Sequence, residues 1–243
     1  MRLLDISFVS PEENLALDEV LLEGAETGRA GETLRFWESA SPFVVLGVAQ
    51  ALRNCVREKE CRQYGIPVLR RCSAGGCVLQ GPGCLNYSLV LRHENHPETR
   101  TIRGSYCYIL GRVAEAFHKQ GLAVRHMGVS DLAWRGKKVS GNAQKRRKHC
   151  FLHHGTLVYG LDPDAMERYL REPEAADRPQ YRGHRTHRGF VCNLPLDAGQ
   201  LRTVILEAFG VDGPPRPLRR WEIKEARTLA REKYGALEWT HRR

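Results

Sequence analysis

The sequence predicts a mixed α/β (α+β) domain, and three observations predict it. Short runs such as LRFWES and NYSLVLR alternate apolar and polar residues, as half-buried strands do. Longer stretches carry apolar residues three and four positions apart, as helices with one buried face do. The two kinds alternate along the chain, so sheet and helices share a core. At 243 residues, 42% hydrophobic and 27% charged, the chain has an ordinary globular composition and enough length for a sizeable core. We expect one domain over residues 1–243, with 212–243 as a C-terminal helical tail. The linker-like VDGPPRPLRR is too short to separate independent domains, and no accessory C-terminal domain is expected.

Ser10-Pro11-Glu12-Glu13 is a capped helix start, Leu17, Val20 and Leu21 form its apolar stripe, and Gly24 is its expected stop. LRFWES (34–39) and FVVLGV (43–48) are strands around a Ser-Pro turn. Residues 54–64 form a helix ended by Gly65, and PVLRR returns as a strand into a glycine-rich loop. NYSLVLR is the next strand. Thr101 to Gln120 has helical spacing with Gly121 beyond it. DLAW (131–134) and KKVSG (137–141) flank Arg135-Gly136, a two-residue hairpin turn, and FLHHGTLVYG extends the sheet. Helices follow at 164–171, 197–209 and 222–233.

The net charge of +10 favours acidic partners. Residues 132–161 contain no acidic side chain but include Arg135, Lys137, Lys138, Lys145, Arg146, Arg147 and Lys148. A second acid-free run spans residues 178–196. No apolar run approaches the roughly 20 residues that span a bilayer. MRLLDISFVSPEEN has no signal-peptide core, so a cytoplasmic location is expected, with the 8 cysteines reduced.

The loop RRCSAGGCVLQGPGCLNYSLVL (70–91) is the densest glycine cluster. A phosphate-binding P-loop fails because Pro82 stands where its lysine belongs, and a dinucleotide fingerprint fails at Asn86. Cys72, Cys77 and Cys84 lack the tight pairing of structural zinc sites. Cys55, Cys61, Cys107 and Cys192 read as core or bystander thiols. What remains is a set of bare backbone N–H groups with Arg70 and Arg71 before them and a lysine hairpin later. Such a set suits a multi-oxygen anion, phosphate or carboxylate.

This combination resembles the lipoate–protein ligase family, within the wider biotin/lipoate ligase group. The glycine loop matches at Arg70, Arg71, Ser73, Gly75, Gly76, Val78, Gly83, Tyr87 and Ser88, KVSGNAQ matches with Lys138 as its lysine, and HHGTLV matches from His153. NLALDEVLL, LRFWESASPFVVLGVAQ and EKYGALEW agree as well. The resemblance implies the catalytic fold of biotin ligases and class II aminoacyl-tRNA synthetases, a mixed, mainly antiparallel sheet with flanking helices. It implies two steps, in which lipoate and ATP give lipoyl-AMP and a lysine of a lipoyl domain then takes the acyl group. Lys138 is the catalytic residue so implied. Arg70, Arg71, Ser73, Gly75, Gly76, Val78, Asn86, Asp131, Ser140, Gly141, His154 and Gly155 would bind the substrate or adenylate, and Asp131 would hold Mg²⁺. Strand alternation lets only one of Arg70 and Arg71 point inward. His154 is expected to brace the sheet, and Leu79, Val139 and Leu157 to form an apolar slot. The implied partners are lipoyl domains of 2-oxoacid dehydrogenase E2 or glycine-cleavage H-type proteins, with a separate accessory subunit where adenylation needs one. Nucleic acid and membrane are not expected partners.

Three departures matter. Ala74 replaces a loop glycine and should keep negative φ. Gln80-Gly81 replaces His-Asp, and the chain stops soon after Trp239. Two rival readings are a carrier-protein-dependent octanoyltransferase and a basic adenylate- or nucleic-acid-binding module. The transferase needs a cysteine nucleophile. RHMGVSDLAW, before the hairpin, contains none, and Cys150, between basic residues, is a candidate for a lowered pKa but matches neither transferase branch. The module lacks any helix-turn-helix, RNA-recognition or OB-type signature.

Overall fold

A computed structural model of the chain describes residues 1–242. Its main sheet has seven strands in the order β1 (Arg2–Asp5), β2 (Thr33–Trp37), β6 (Cys84–Arg92), β10 (Cys150–Val158), β9 (Lys137–Arg146), β8 (Asp131–Trp134), β7 (Val124–Met127). Only β1 and β2 run parallel; the other pairs are antiparallel. A smaller sheet orders β4 (Val68–Arg70), β3 (Phe43–Leu46) and β5 (Val78–Gln80), with β3 parallel to β4 and antiparallel to β5. This is the mixed α/β arrangement the sequence predicts. Two sheets, rather than one, are the addition.

Strand β6 is buried on both faces, and its alternation explains where the helices lie. Leu85, Tyr87, Leu89 and Leu91 meet α4 (Ile102–Lys119) and α7 (Ala198–Phe209), through Val113, Phe117, Leu201 and Ile205. Val90 on the other face joins Leu17, Leu21 and Ala25 of α1 (Pro11–Glu26) and Ala226 of α8 (Arg220–Leu229). Helix starts follow the predicted chemistry. Ser10 Oγ accepts from Glu13 N, Thr101 from Gly104 N, and Asp197 forms a reciprocal capping box with Gln200.

Three expectations are corrected. Gly24 does not stop α1, which runs to Glu26; a Cβ there would lie 2.5 Å from the Trp221 ring, so the glycine admits α8. The predicted helix over 54–64 is two, α2 (Leu52–Cys55) and α3 (Glu58–Gln63). Val56 is drawn out between them because it is buried and bridges Leu170, while Arg57 N donates to Tyr169 O. The helix predicted over 222–233 ends at Leu229 and continues as a π turn over Ala230–Tyr234, and a further short helix covers Leu237–Thr240. The strands β1 and β7, too short to read from pattern, edge the main sheet. Among the described residues no helix is long and apolar enough to cross a membrane.

Candidate active site

The hairpin β8–β9 turns on Arg135 (φ 51) and Gly136 (φ 72), the two positive-φ residues of a type I′ turn. Just beyond it the register slips, because Leu132 pairs with Ser140 but Ala133 with Lys138. The extra residue, Val139, makes a bulge. In an unbroken strand Lys138 and Gly141 would face opposite ways; the bulge turns Lys138 to the side of Asp131 and Gly141. Its Nζ lies 2.7 Å from Asp131 Oδ1. Gly141 leaves the room, since a Cβ there would sit 2.9 Å from that nitrogen.

Facing the hairpin is the glycine loop between β4 and β5. Arg70 and Arg71 part company there, as alternation requires. Arg70 is fully buried and points at carbonyls of Gly47, Gln50, Trp239 and Thr240, away from the hairpin. Arg71 lines a cavity of about 110 Å³ together with Gly76, Val78, Asn86, Asp131, Lys138, Gly141, His154 and Gly155. Trp37, Leu15 and Val45 supply its apolar wall. Gly75 needs its φ of +90°, and its carbonyl approaches Gly47 so closely that a Cβ on Gly47 would lie 2.0 Å from that oxygen. Ala74 is not among the positive-φ residues.

A second cavity of about 420 Å³ shares Gly76, Val78, Gln80, Asp131, Lys138 and Gly141 with the first. Ser140 and Leu79 line it, as do Arg171, Arg178 and Arg182. Lys138 therefore stands on the seam between a small, partly apolar chamber and a larger one whose mostly apolar wall, with Leu161, Met166 and Phe190, also carries these arginines and the acids Glu174 and Asp177. Gln80, in the place of the family's histidine, is tied to Thr156 Oγ1 at 2.6 Å and to Asn86 Nδ2 at 3.0 Å.

Several sequence expectations land elsewhere. Ser73 is fully buried and lines neither cavity; Arg70 likewise stands back from both. Val139 and Leu157 belong to the core beneath α4, leaving Leu79 alone of the three proposed slot residues on a cavity wall. His154 does more than brace the sheet, because it forms part of the smaller chamber and bonds both Ser73 and Asp18. Cys150 is fully buried, and burial, with Glu26 adding to it against Arg92, pushes its thiol up to about 11. Of its basic neighbours in sequence, Arg147 is turned to Glu23.

Asp131 has both oxygens engaged, Oδ1 with Lys138 and Oδ2 accepting from Tyr181 Oη at 2.9 Å. Among the described residues no group of three His, Cys, Asp or Glu can hold a metal ion. In this structure Asp131 is the counter-ion of Lys138. Tyr181, in RPQYRGHR, carries no sequence signal; the fold alone brings it to Asp131. Asp18 and Trp37 sit in NLALDEVLL and LRFWES, segments whose pattern does not say what either side chain touches.

Two cysteines reach the cavities, Cys77 on both and Cys55 on the larger. Burial raises the thiol pKa of each.

The lipoyl protein ligase A/B catalytic domain model matches residues 10–209. The octanoyltransferase LipM of Moorella thermoacetica is 27% identical over 100% of this chain and 98% of its own length. A protein of Aeropyrum pernix with the provisional name lipoate-protein ligase A is 30% identical over 83% of this chain and 70% of its own. Among solved structures, the bi-partite lipoate protein ligase of Thermoplasma acidophilum, from a lipoylation system that includes its E2 lipoyl domain, superposes with a TM-score of 0.83. It is 23% identical, over 99% of this chain and 95% of that one. A match over most of the chain, by sequence and by fold, leaves one conclusion: this protein belongs to the lipoyl protein ligase A/B catalytic domain family.

Proposed function

We propose that this protein is an ATP-dependent lipoate–protein ligase, which forms lipoyl-AMP and passes the lipoyl group to a lysine of a lipoyl domain. The observation that carries this reading is the seam position of Lys138, on the wall of both cavities and beside the glycine loop. We assign the smaller chamber, with Trp37, Leu15 and Val45, to the acyl chain and the larger, whose mostly apolar wall carries Arg171, Arg178 and Arg182, to the nucleotide. Their junction is where carboxyl and α-phosphate would meet. Both steps build negative charge on acyl and phosphoryl oxygens, and a fixed ammonium and guanidinium beside those oxygens lower the barrier. Gly76 gives the backbone a close approach. Asp131 and Tyr181 keep the ammonium in place, so Mg²⁺ would enter with ATP as its counter-ion.

The full-length likeness to the Moorella octanoyltransferase favours a second reading, octanoyl transfer from a carrier protein. That chemistry needs a reactive thiolate, and Cys77, which reaches both chambers, is disfavoured as one by burial. Intact mass separates the two. With ATP, lipoate and an apo lipoyl domain of an E2 or H-type protein, a ligase modifies the acceptor. A transferase ignores ATP, forms a thioester with octanoyl carrier protein and modifies the acceptor from that. If lipoyl-AMP but not ATP plus lipoate supports transfer, an accessory subunit supplies adenylation.

A further inference from the structure

Four side chains form one hydrogen-bonded file from the smaller cavity into the interior. Arg71 Nε donates to Ser73 Oγ at 2.9 Å, Ser73 Oγ meets His154 Nε2 at 2.6 Å, and His154 Nδ1 meets Asp18 Oδ2 at 3.1 Å. Asp18 is closed off behind by Arg35 Nη1 at 2.7 Å and Ser88 Oγ at 2.8 Å. Serine, histidine and aspartate in this order resemble a hydrolase triad. A nucleophile must reach its substrate, however, and Ser73 is fully buried off both cavities with Arg71 already donating to its oxygen.

Asp18, held ionised, can only accept, so in a neutral imidazole the proton sits on Nδ1 and Nε2 accepts the Ser73 hydrogen, while Ser73 Oγ accepts from Arg71, which can only donate. Burial alone would raise the Asp18 carboxyl, but Arg35 foremost, then His154 and Ser88, hold it below its usual value, so the acceptor at the end of the file stays charged. At the other end Arg71 gives Nη2 to Ala74 O at 2.6 Å, while Nη1 is buried without a partner. A buried guanidinium nitrogen with nothing to bond, on a residue that walls a cavity, points to an anion as the missing acceptor.

We propose that Asp18 and His154 are positioning residues which, acting through Ser73, hold the Arg71 guanidinium by Nε and keep Nη1 for the carboxylate of a free medium-chain acid. This rests on the reading of the smaller cavity as the acyl site. The groups facing His154 are Asp18 from α1, with Arg35 of β2 behind it, Arg71 and Ser73 from the loop, Ser88 of β6, and His153 on its own strand; Asp131 and Lys138 share its cavity wall.

The test is calorimetric binding of lipoate and of octanoate without nucleotide at one pH, about 8. Asp18→Asn, Ser73→Ala and His154→Ala should each bind about tenfold more weakly, the loss of one held charge-assisted contact. His154→Gln, whose amide can accept from Ser73 and donate to Asp18, should recover most of the affinity that His154→Ala loses. Nitrogen-15 NMR of the imidazole, with no ligand present, should find the Nδ1–H tautomer. The other tautomer, or His154→Gln binding no better than His154→Ala, overturns the positioning role alone. Wild type that binds neither acid, with the expected tautomer, overturns the acyl-site reading instead.

Discussion

At Lys138 a single ammonium serves two chambers, and its environment is built from small choices. Replacing it by alanine removes a partly exposed side chain from a sheet whose pairing is backbone-made. We expect at least a 100-fold loss of transfer from lipoyl-AMP, with the unfolding midpoint nearly unchanged. Gly141→Ala should push the same nitrogen aside, since its Cβ would lie 2.9 Å away, and lower turnover about tenfold without loss of fold. His153 next door is a different kind of histidine. Fully buried against Gln144 and Tyr87, it is driven down to about 3 by burial, then by the charge of His154. Unfolding restores a value near 6.5. Its folded value being the lower, its stabilising contribution is complete above about pH 6.5 and is lost as pH falls toward the folded value, by up to about 1.4 kcal/mol per pH unit. Denaturant midpoints at pH 7.5 and about pH 5 should therefore separate less in His153→Gln than in wild type. An equal separation would show that other groups set the acid sensitivity.

The glycine loop shows how an element can be exacting at one position and permissive at the next. Gly47, at the end of β3, lies under Gly75 O, and neither backbone can yield without moving the loop. Gly47→Ala should lower stability by about 2 kcal/mol or more and reduce activity with it. Gly76, on both cavity walls, has open space around its missing Cβ and no positive φ. Gly76→Ala should fold like wild type, and any loss should appear in KM rather than in the melting curve. The bulge at Val139 is the matching feature in the hairpin, because it decides which way Lys138 faces.

Across the whole molecule, the tail secures the loop from behind. Trp239 O and Thr240 O accept from Arg70, and Trp239 Nε1 donates to Arg70 O at 2.7 Å. Lys233 and Tyr234 bind Glu19 of α1 at 2.7–2.8 Å, so the same tail grips the helix that carries Asp18. Deleting residues 237–243 should destabilise the protein by about 3 kcal/mol, and Arg70→Ala should act in the same way. Arg71→Ala should instead weaken acid binding with the fold intact. Thermal unfolding beside lipoate binding checks all three variants, and equal melting losses for Arg70→Ala and Arg71→Ala would contradict the division between them.

The sequence by itself determined the mixed class, the caps at Ser10, Thr101 and Asp197, the Arg135-Gly136 turn and the family motifs, because each depends on neighbours a few residues away. It also required Arg70 and Arg71 to face apart. Which of the two meets the cavity, the turn of Lys138 toward Asp131, the Tyr181 contact and the file from Arg71 to Asp18 were decided only by tertiary structure. Each joins residues from separate strands, loops or helices, and hydrogen-bond direction and burial depend on that meeting rather than on spacing in the chain. Cys150 illustrates the difference: basic neighbours in sequence argue for a lowered thiol pKa, yet burial raises it.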